Sequence, residues 1–414
     1  MKNLVISVLM FCTLPLVAQN RIDDAKKVLR YVIEQKGDSV WNWGNDVLQE
    51  QITPKAIGEI IGQLSATVGK LDSIGTWNQD YANNNMIYYT DLKFEKTKLR
   101  FLTGFDKDGK INNLLFMAVP NKIAEKPIAY DSLRISEKPV VVNSGNVKLN
   151  ATYTVPVGRA KFPIVVFIHG SGPNDRDETI GSNKMFRDIA LGLAENGIAS
   201  LRYDKRTFAY AGNIEVLRNI KTPEEEVIAD ALAAVQLASS LKGVCNDSIY
   251  LLGHSLGGYL LPQIASRCSN LHGIIICSGN TRPIEVLLKE QINYIYSLNG
   301  KVDESKVNED VKKLMGAMPQ SYIDYLKQYE PVITASKLNI PILILQGERD
   351  YQVTMADFGF WKLGLWNKSN VTAKSYPKLN HIYTEGEGPS TPFEYNRTGR
   401  VPLYVIKDIV NWIR

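Results

Sequence analysis

Ile249-Tyr250-Leu251-Leu252-Gly253-His254-Ser255-Leu256-Gly257-Gly258 is the stretch on which the reading of this chain turns. Ile249 to Leu252 reads as a short buried strand. Tyr259, Leu260, Leu261 and Ile264 give the apolar face of a helix that follows. Between them stands Gly-x-Ser-x-Gly, in the strand–turn–helix setting this motif requires. A serine at so sharp a turn adopts a strained backbone. Neighbouring strands crowd the positions two before and two after it, and only glycine fits there. The hydroxyl then projects above the sheet, and the positive end of the helix faces any oxyanion formed there. Ser255 is therefore expected to be a catalytic nucleophile; the alternative is a glycine-rich turn capped by a serine.

A nucleophilic serine needs a base, and the base needs an orienting carboxylate. The chain has four histidines. His254 adjoins Ser255 and cannot turn its ring back to it. His169 follows an apolar strand in Phe167-Ile168-His169-Gly170-Ser171-Gly172, which suits an oxyanion loop. His272 precedes a strand, at the wrong end of a parallel sheet. His381 follows the strand at 372–376 on a carboxyl-end loop, and is the expected base. The acid should come from the preceding strand, Pro341 to Gln346, which runs into Gly347-Glu348-Arg349-Asp350. Asp350 lies where a turn can swing it under the histidine; Glu348 and Asp357 are the alternatives. Two backbone N–H groups should form the oxyanion hole: that of Leu256, and that of Ser171 with Gly172 as the alternative.

From Pro163 onward, strands and helices alternate. Strands are expected at 164–168, 199–203, 249–252, 273–278, 341–346 and 372–376, and helices at 185–196, 222–241 and 403–413. Thr222-Pro223-Glu224-Glu225-Glu226 has the N-cap, the proline and the acidic first turn of a helix start. Such alternation implies an α/β fold, a mostly parallel sheet with helices on both faces and its site at the carboxyl ends of the strands. Residues 281–338 interrupt the pattern with amphipathic segments and are expected to form a helical lid above the site.

Residues 20–120 have a different texture. Ala25, Val28, Leu29, Val32 and Ile33 recur at helical spacing, and a second helix starts at Thr53-Pro54 with Ile57, Ile60, Ile61 and Leu64 on one face. Alternating strands follow, with a hairpin turn at residues 105–110. This is a small α+β domain, joined by a linker at 121–137 to the larger domain at 138–414, which opens with a hairpin at 140–155. Trp41, Trp43 and Trp77 are expected to pack rather than to line a groove. The strands Leu92 to Glu95 and Lys98 to Leu102 and the turn Asp106 to Ile111 resemble the small domain, shaped like nuclear transport factor 2, that precedes many secreted bacterial hydrolases.

Composition bounds the rest. The chain has 414 residues, 44% hydrophobic and 22% charged, with a net charge of +5. The charges are interspersed, which argues against a nucleic-acid partner. Met1-Lys2-Asn3, an apolar run from Leu4 to Leu16 and the small residues before Gln19 read as a signal peptide, residues 1–18, too short to serve as a membrane anchor. The mature protein is expected to be secreted or periplasmic. Cys245, Cys268 and Cys277 form no disulfide framework. Cys277 sits in an apolar strand as a packed thiol, and no cofactor or metal is implied.

The order Ser255, Asp350, His381 resembles that of the α/β-hydrolase superfamily, over roughly residues 140 to 414. His169 to Asp177, Leu201 to Arg206, Gly253 to Gly258, Gly347 to Val353 and Leu379 to His381 are similar to one branch of it, the secreted esterases and serine-peptidase-like hydrolases. That branch usually carries glycine after Lys-Arg, where this chain has Thr207-Phe208-Ala209. The resemblance implies a carboxylesterase acting on small-molecule esters of small acyl groups. Acyl-peptide hydrolase or aminopeptidase-like activity, thioesterase activity, and a secreted binding protein with an inert hydrolase fold are the alternatives. Homo-oligomerisation is left open.

Overall fold

The computed structural model describes residues 21–82, 85–106, 108–119, 130–131, 133–298 and 302–414. The expected signal peptide at 1–18 and most of the expected linker lie outside these residues. The chain divides into two compact units between Val119 and Pro120.

The first unit begins with four helices: α1 (Ile22–Ile33), α2 (Gly37–Trp43), α3 (Asp46–Gln51) and α4 (Pro54–Val68). Thr53 caps α4 by accepting the Ala56 N–H at 3.2 Å. An antiparallel meander follows: β1 (Leu71–Ala82), β2 (Asn85–Phe94), β3 (Lys98–Phe105) and β4 (Ile111–Ala118). Ala25, Val28, Leu29 and Val32 of α1 pack with Ile57 of α4 against Tyr88, Leu92, Phe94 and Phe101. Trp43 packs on Phe105 and Trp77 on Phe101, with ring centroids 5.8 and 6.0 Å apart.

The second unit opens with the hairpin β5 (Ile135–Ser144) and β6 (Val147–Pro156). The strand thus starts within the stretch expected as linker. Ile135 to Glu137 pair with Thr154 to Pro156, and Glu137 reaches the buried Arg202 at 2.5 Å, so these residues are tied to the sheet. Next come β7 (Phe162–Ile168), the small ribbon β8 (Thr179–Ile180) and β9 (Asn183–Lys184), then α5 (Met185–Glu195), β10 (Ala199–Tyr203), α6 (Arg206–Ala209) and α7 (Ile214–Arg218). A π-turn at Glu224–Ile228 leads into α8 (Ala229–Ser240), where an ordinary first turn was expected. Then β11 (Val244–His254), α9 (Leu256–Ser266) and β12 (Leu271–Cys277) carry the chain to the lid. The lid is α10 (Ile284–Ser297), α11 (Glu304–Gly316), α12 (Gln320–Gln328) and α13 (Pro331–Ser336). The chain closes with β13 (Ile342–Gly347), α14 (Met355–Gly364), β14 (Val371–Tyr376), a 3₁₀ turn at Pro392–Asn396 and α15 (Leu403–Ile413).

Eight strands form one sheet in the order β14-β13-β12-β11-β7-β10-β6-β5. Every pairing from β14 to β10 is parallel; β6 is antiparallel to both of its neighbours. Alternate residues of the central strands enter two cores. Ile164, Val166, Leu251 and Ile276 face α8, α9 and α14, while Val165, Phe167, Leu252 and Ile275 face α5 and α15. Burial on both faces explains the unbroken apolar runs of these strands.

Side chains outside the lid hold both of its ends. Asp357 of α14, fully buried, accepts the Thr281 N–H at 2.8 Å and pairs with Arg282 at 2.7 Å. Past α14, the Lys368 ammonium donates to the carbonyls of Ser336 and Leu338 at 3.0 and 2.8 Å. None of the described helices is long and apolar enough to cross a membrane.

Candidate active site

Ser255 sits at the carboxyl end of β11, in the middle of the sheet, with φ 51° and ψ −117°. A serine pays strain to hold this left-handed geometry. The contacts around it enforce the geometry: a Cβ on Gly253 would stand 2.5 Å from the Gly257 carbonyl oxygen, and one on Gly257 2.3 Å from that of Ile168. Leu256 is the first residue of α9, so its N–H has no acceptor inside the helix. The N–H of Ser171, on the loop after β7, likewise has no acceptor among the described residues. Gly172 follows at φ +85°.

His381 and Asp350 come together at the carboxyl ends of β14 and β13, with Nδ1 and Oδ2 2.7 Å apart and both side chains buried. The other carboxylate oxygen of Asp350 accepts the N–H groups of Gln352 and Val353 at 2.8 and 2.9 Å. An acceptor at Nδ1 selects the tautomer protonated there and leaves Nε2 with its lone pair. The Ser255 hydroxyl makes no hydrogen bond to His381 in this structure; such contacts commonly tighten only when substrate is bound. The alternative acids are engaged elsewhere: Glu348 accepts the Ser375 hydroxyl at 2.7 Å, and Asp357 holds the lid.

The remaining histidines have other surroundings. His169 is buried between Phe186 and Tyr203, with Nε2 3.2 Å from the Asp175 carbonyl. Burial draws its pKa down to about 4, so the ring is neutral. His272 is exposed near the amino end of β12. His254 is buried, with Nδ1 3.2 Å from Glu178 Oε1 and Nε2 2.9 Å from the His381 carbonyl oxygen. Burial works against charge on both partners. Their mutual attraction outweighs it, raising the His254 pKa and lowering that of Glu178.

Several functional neighbours escaped the sequence reading. Gln346 donates to Asp350 Oδ2 at 3.2 Å and to the Val353 carbonyl at 2.8 Å. A lone amide ending the apolar run of β13 was the available signal. Glu178 accepts the Gly170 N–H at 2.7 Å, and nothing local distinguished it from the other charged residues of that loop.

A cavity of about 160 Å³ opens at Ser255 and Ser171. Leu256, Tyr259, Ile284, Leu287, Leu288 and Leu326 supply its apolar wall, and Asn280, Gln291 and Gln352 its polar points. The lid tyrosines Tyr294, Tyr296, Tyr322, Tyr325 and Tyr329 are not among the lining residues. Tyr294 stacks on Tyr351, and Tyr329 meets Tyr259 edge to face, so these rings pack the lid. Cys277 is buried behind the site, and burial pushes its thiol pKa up, as suits a packed rather than reactive group.

The family model named BD-FAE matches residues 152–357, and that described as a protein of unknown function (DUF3887) matches residues 25–114. Esterase EstD from Thermotoga maritima is 35% identical over 396 residues, covering 93% of each chain. Among solved structures, Est1E from Butyrivibrio proteoclasticus is 18% identical, with a TM-score of 0.44 over 66% of this chain and 98% of its own. The Pyrococcus furiosus esterase Pf2001 is also 18% identical, with a TM-score of 0.43 over 60% of this chain and 84% of its own.

Proposed function

This chain belongs to the α/β-hydrolase esterase family of EstD, and from that premise we propose that it cleaves carboxylic esters of small acyl groups through an acyl-enzyme on Ser255. The observation that carries this reading is the 2.7 Å His381–Asp350 hydrogen bond, beside a serine held in left-handed geometry at the start of a helix.

His381 Nε2 takes the Ser255 proton as the hydroxyl oxygen attacks the ester carbonyl. The N–H groups of Leu256 and Ser171 hold the tetrahedral oxyanion, helped by the positive end of α9. His381 then protonates the departing alcohol. Water, with His381 again as base, releases the acid and restores Ser255. Asp350 fixes the ring and balances its transient charge. The cavity under α10 and α12 receives the acyl group, and its modest volume supports a short chain.

Hydrolysis of p-nitrophenyl esters from acetate to dodecanoate, by wild type and Ser255→Ala, tests the reading, with aminoacyl-arylamides assayed in parallel. Activity on short esters that falls by about 10⁶ in the variant is expected. No ester turnover, together with no labelling of Ser255 by a fluorophosphonate, would refute it. We also propose export with cleavage after Ala18; amino-terminal sequencing of the mature protein checks this.

A further inference from the structure

Charged side chains grip both backbone groups of Gly170. Its N–H donates to Glu178 Oε1 at 2.7 Å, and its carbonyl accepts from the Lys205 ammonium at 2.8 Å and, at the longer distance of 3.2 Å, from the neutral Asn174 amide. Lys205 is 2% exposed and pairs with Glu226 at 2.5 Å. The second oxygen of Glu226 accepts the hydroxyl of Tyr322, on lid helix α12, at 2.6 Å. The Gly170–Ser171 peptide is trans, so the Gly170 carbonyl and the Ser171 N–H are opposite edges of one rigid plane and point in opposite directions. Holding the carbonyl on Lys205 therefore turns the Ser171 N–H the other way. Ser171 lines the cavity with Ser255, and a Cβ on Gly170 would stand only 3.2 Å from Ser255 Cβ.

We propose that Lys205 is a positioning residue of the oxyanion hole: by gripping the Gly170 carbonyl it aims the Ser171 N–H at the tetrahedral oxyanion and polarises it as a donor. The proposal rests on the esterase reading above. A cation on a peptide carbonyl draws electron density from the N–H across the conjugated plane, and hydrogen bonds in a chain reinforce one another most where water is excluded. The competing role is purely structural, a counter-ion for Glu226. The two differ in what they do to the transition state.

The test compares Lys205→Met, Lys205→Arg and the double variant Lys205→Met/Glu226→Gln, which removes the ammonium and its counter-charge together. The double variant leaves no buried charge unpaired if the single one fails to fold. Losing a whole oxyanion donor lowers turnover about 10²–10³-fold; misaiming one should lower kcat roughly 10- to 100-fold with KM changed less than about twofold. Inhibition by a trifluoromethyl ketone, which adds to serine as a tetrahedral oxyanion, should weaken by a similar factor. Lys205→Arg, still able to donate, should restore most of both. Unchanged kcat and ketone affinity in either folded methionine variant would overturn the proposal, as would a rise in KM with kcat preserved. Wild type that turns over no ester and takes up no fluorophosphonate would instead overturn the underlying reading.

Discussion

The ring of His254 holds the backbone of His381: Nε2 lies 2.9 Å from the carbonyl oxygen of the proposed base. The residue beside Ser255 thus fixes the loop that carries His381, and Glu178 ties the same ring to the Gly170 loop. Three loops from three strands meet through one buried ion pair. Replacing His254 with Phe keeps a ring in place but leaves Glu178 without its cation. Removing one member of a buried pair typically destabilises by about 3–5 kcal/mol. Urea unfolding should show a loss of that order, and kcat should fall more than KM rises as the base loosens.

Asp350→Asn should preserve the carbonyl that accepts from Gln352 and Val353 but present an amide to His381 Nδ1. The ring is then driven toward the wrong tautomer, and turnover should drop by roughly 10⁴. Glu348→Gln, altered only at its contact with the Ser375 hydroxyl, should stay near wild type. Ester kinetics on the two variants separate the acids; equal loss in both would contradict the assignment.

Gly257→Ala places a methyl group where the Ile168 carbonyl oxygen already stands, 2.3 Å away. Backbone cannot yield as a side chain does, so the turn must open. Activity should fall at least about 100-fold with a lowered melting temperature, because a displacement of about 1 Å at a reacting group costs that much. Wild-type activity in this variant would show that the turn geometry is dispensable.

His169 gives the protein an acid sensitivity with a definite window. Its folded pKa of about 4 lies below the ordinary value of 6.5. Above pH 6.5 the ring is neutral in both states and stability is unaffected. As pH falls from 6.5 to 4 the unfolded chain takes up a proton that the folded one refuses, and stability drains away. The loss could reach about 3 kcal/mol by pH 4. His169→Phe should start less stable at pH 7, lacking the contact with the Asp175 carbonyl, yet lose less on acidification. Melting curves at pH 7, 5.5 and 4.5 give the comparison.

Leu287→Ala enlarges the cavity from the α10 side. The preferred acyl chain should lengthen by a few carbons, with kcat/KM for the shortest ester falling roughly 10-fold, the scale of one to two methylenes of pocket contact. An unchanged chain-length profile would mean that the acyl group lies elsewhere.

Much of this architecture was legible in the sequence, for local reasons. The central strands are buried on both faces, so each reads as an unbroken apolar run. The crowding around Ser255 admits only glycine at Gly253 and Gly257, and that constraint is written as a motif. Asp350 and His381 follow from chain order because successive parallel strands deliver successive loops to one edge. What could not be read depends on tertiary meeting. Lys205 and Glu226 lie in separate charged stretches and pair only once β10 and the π-turn before α8 are in place. Glu178 looks like one more acidic residue of a polar loop until the fold sets it against His254. The start of β5 was missed because Glu137, a polar residue near a proline, is held by the distant Arg202.

The clasps at the two ends of the lid also bear on how such a protein can diversify. Asp357 and Lys368, which secure Thr281–Arg282 at one end and Ser336–Leu338 at the other, lie outside the segment they hold. Exposed residues between those clasps can change without touching the attachment points, whereas Tyr322, Leu326 and Ala335 belong to the main core and must keep their packing. Leu287 and Leu288, on the α10 side of the cavity, can therefore turn over in evolution while Ser255, Asp350 and His381 stay on an undisturbed frame.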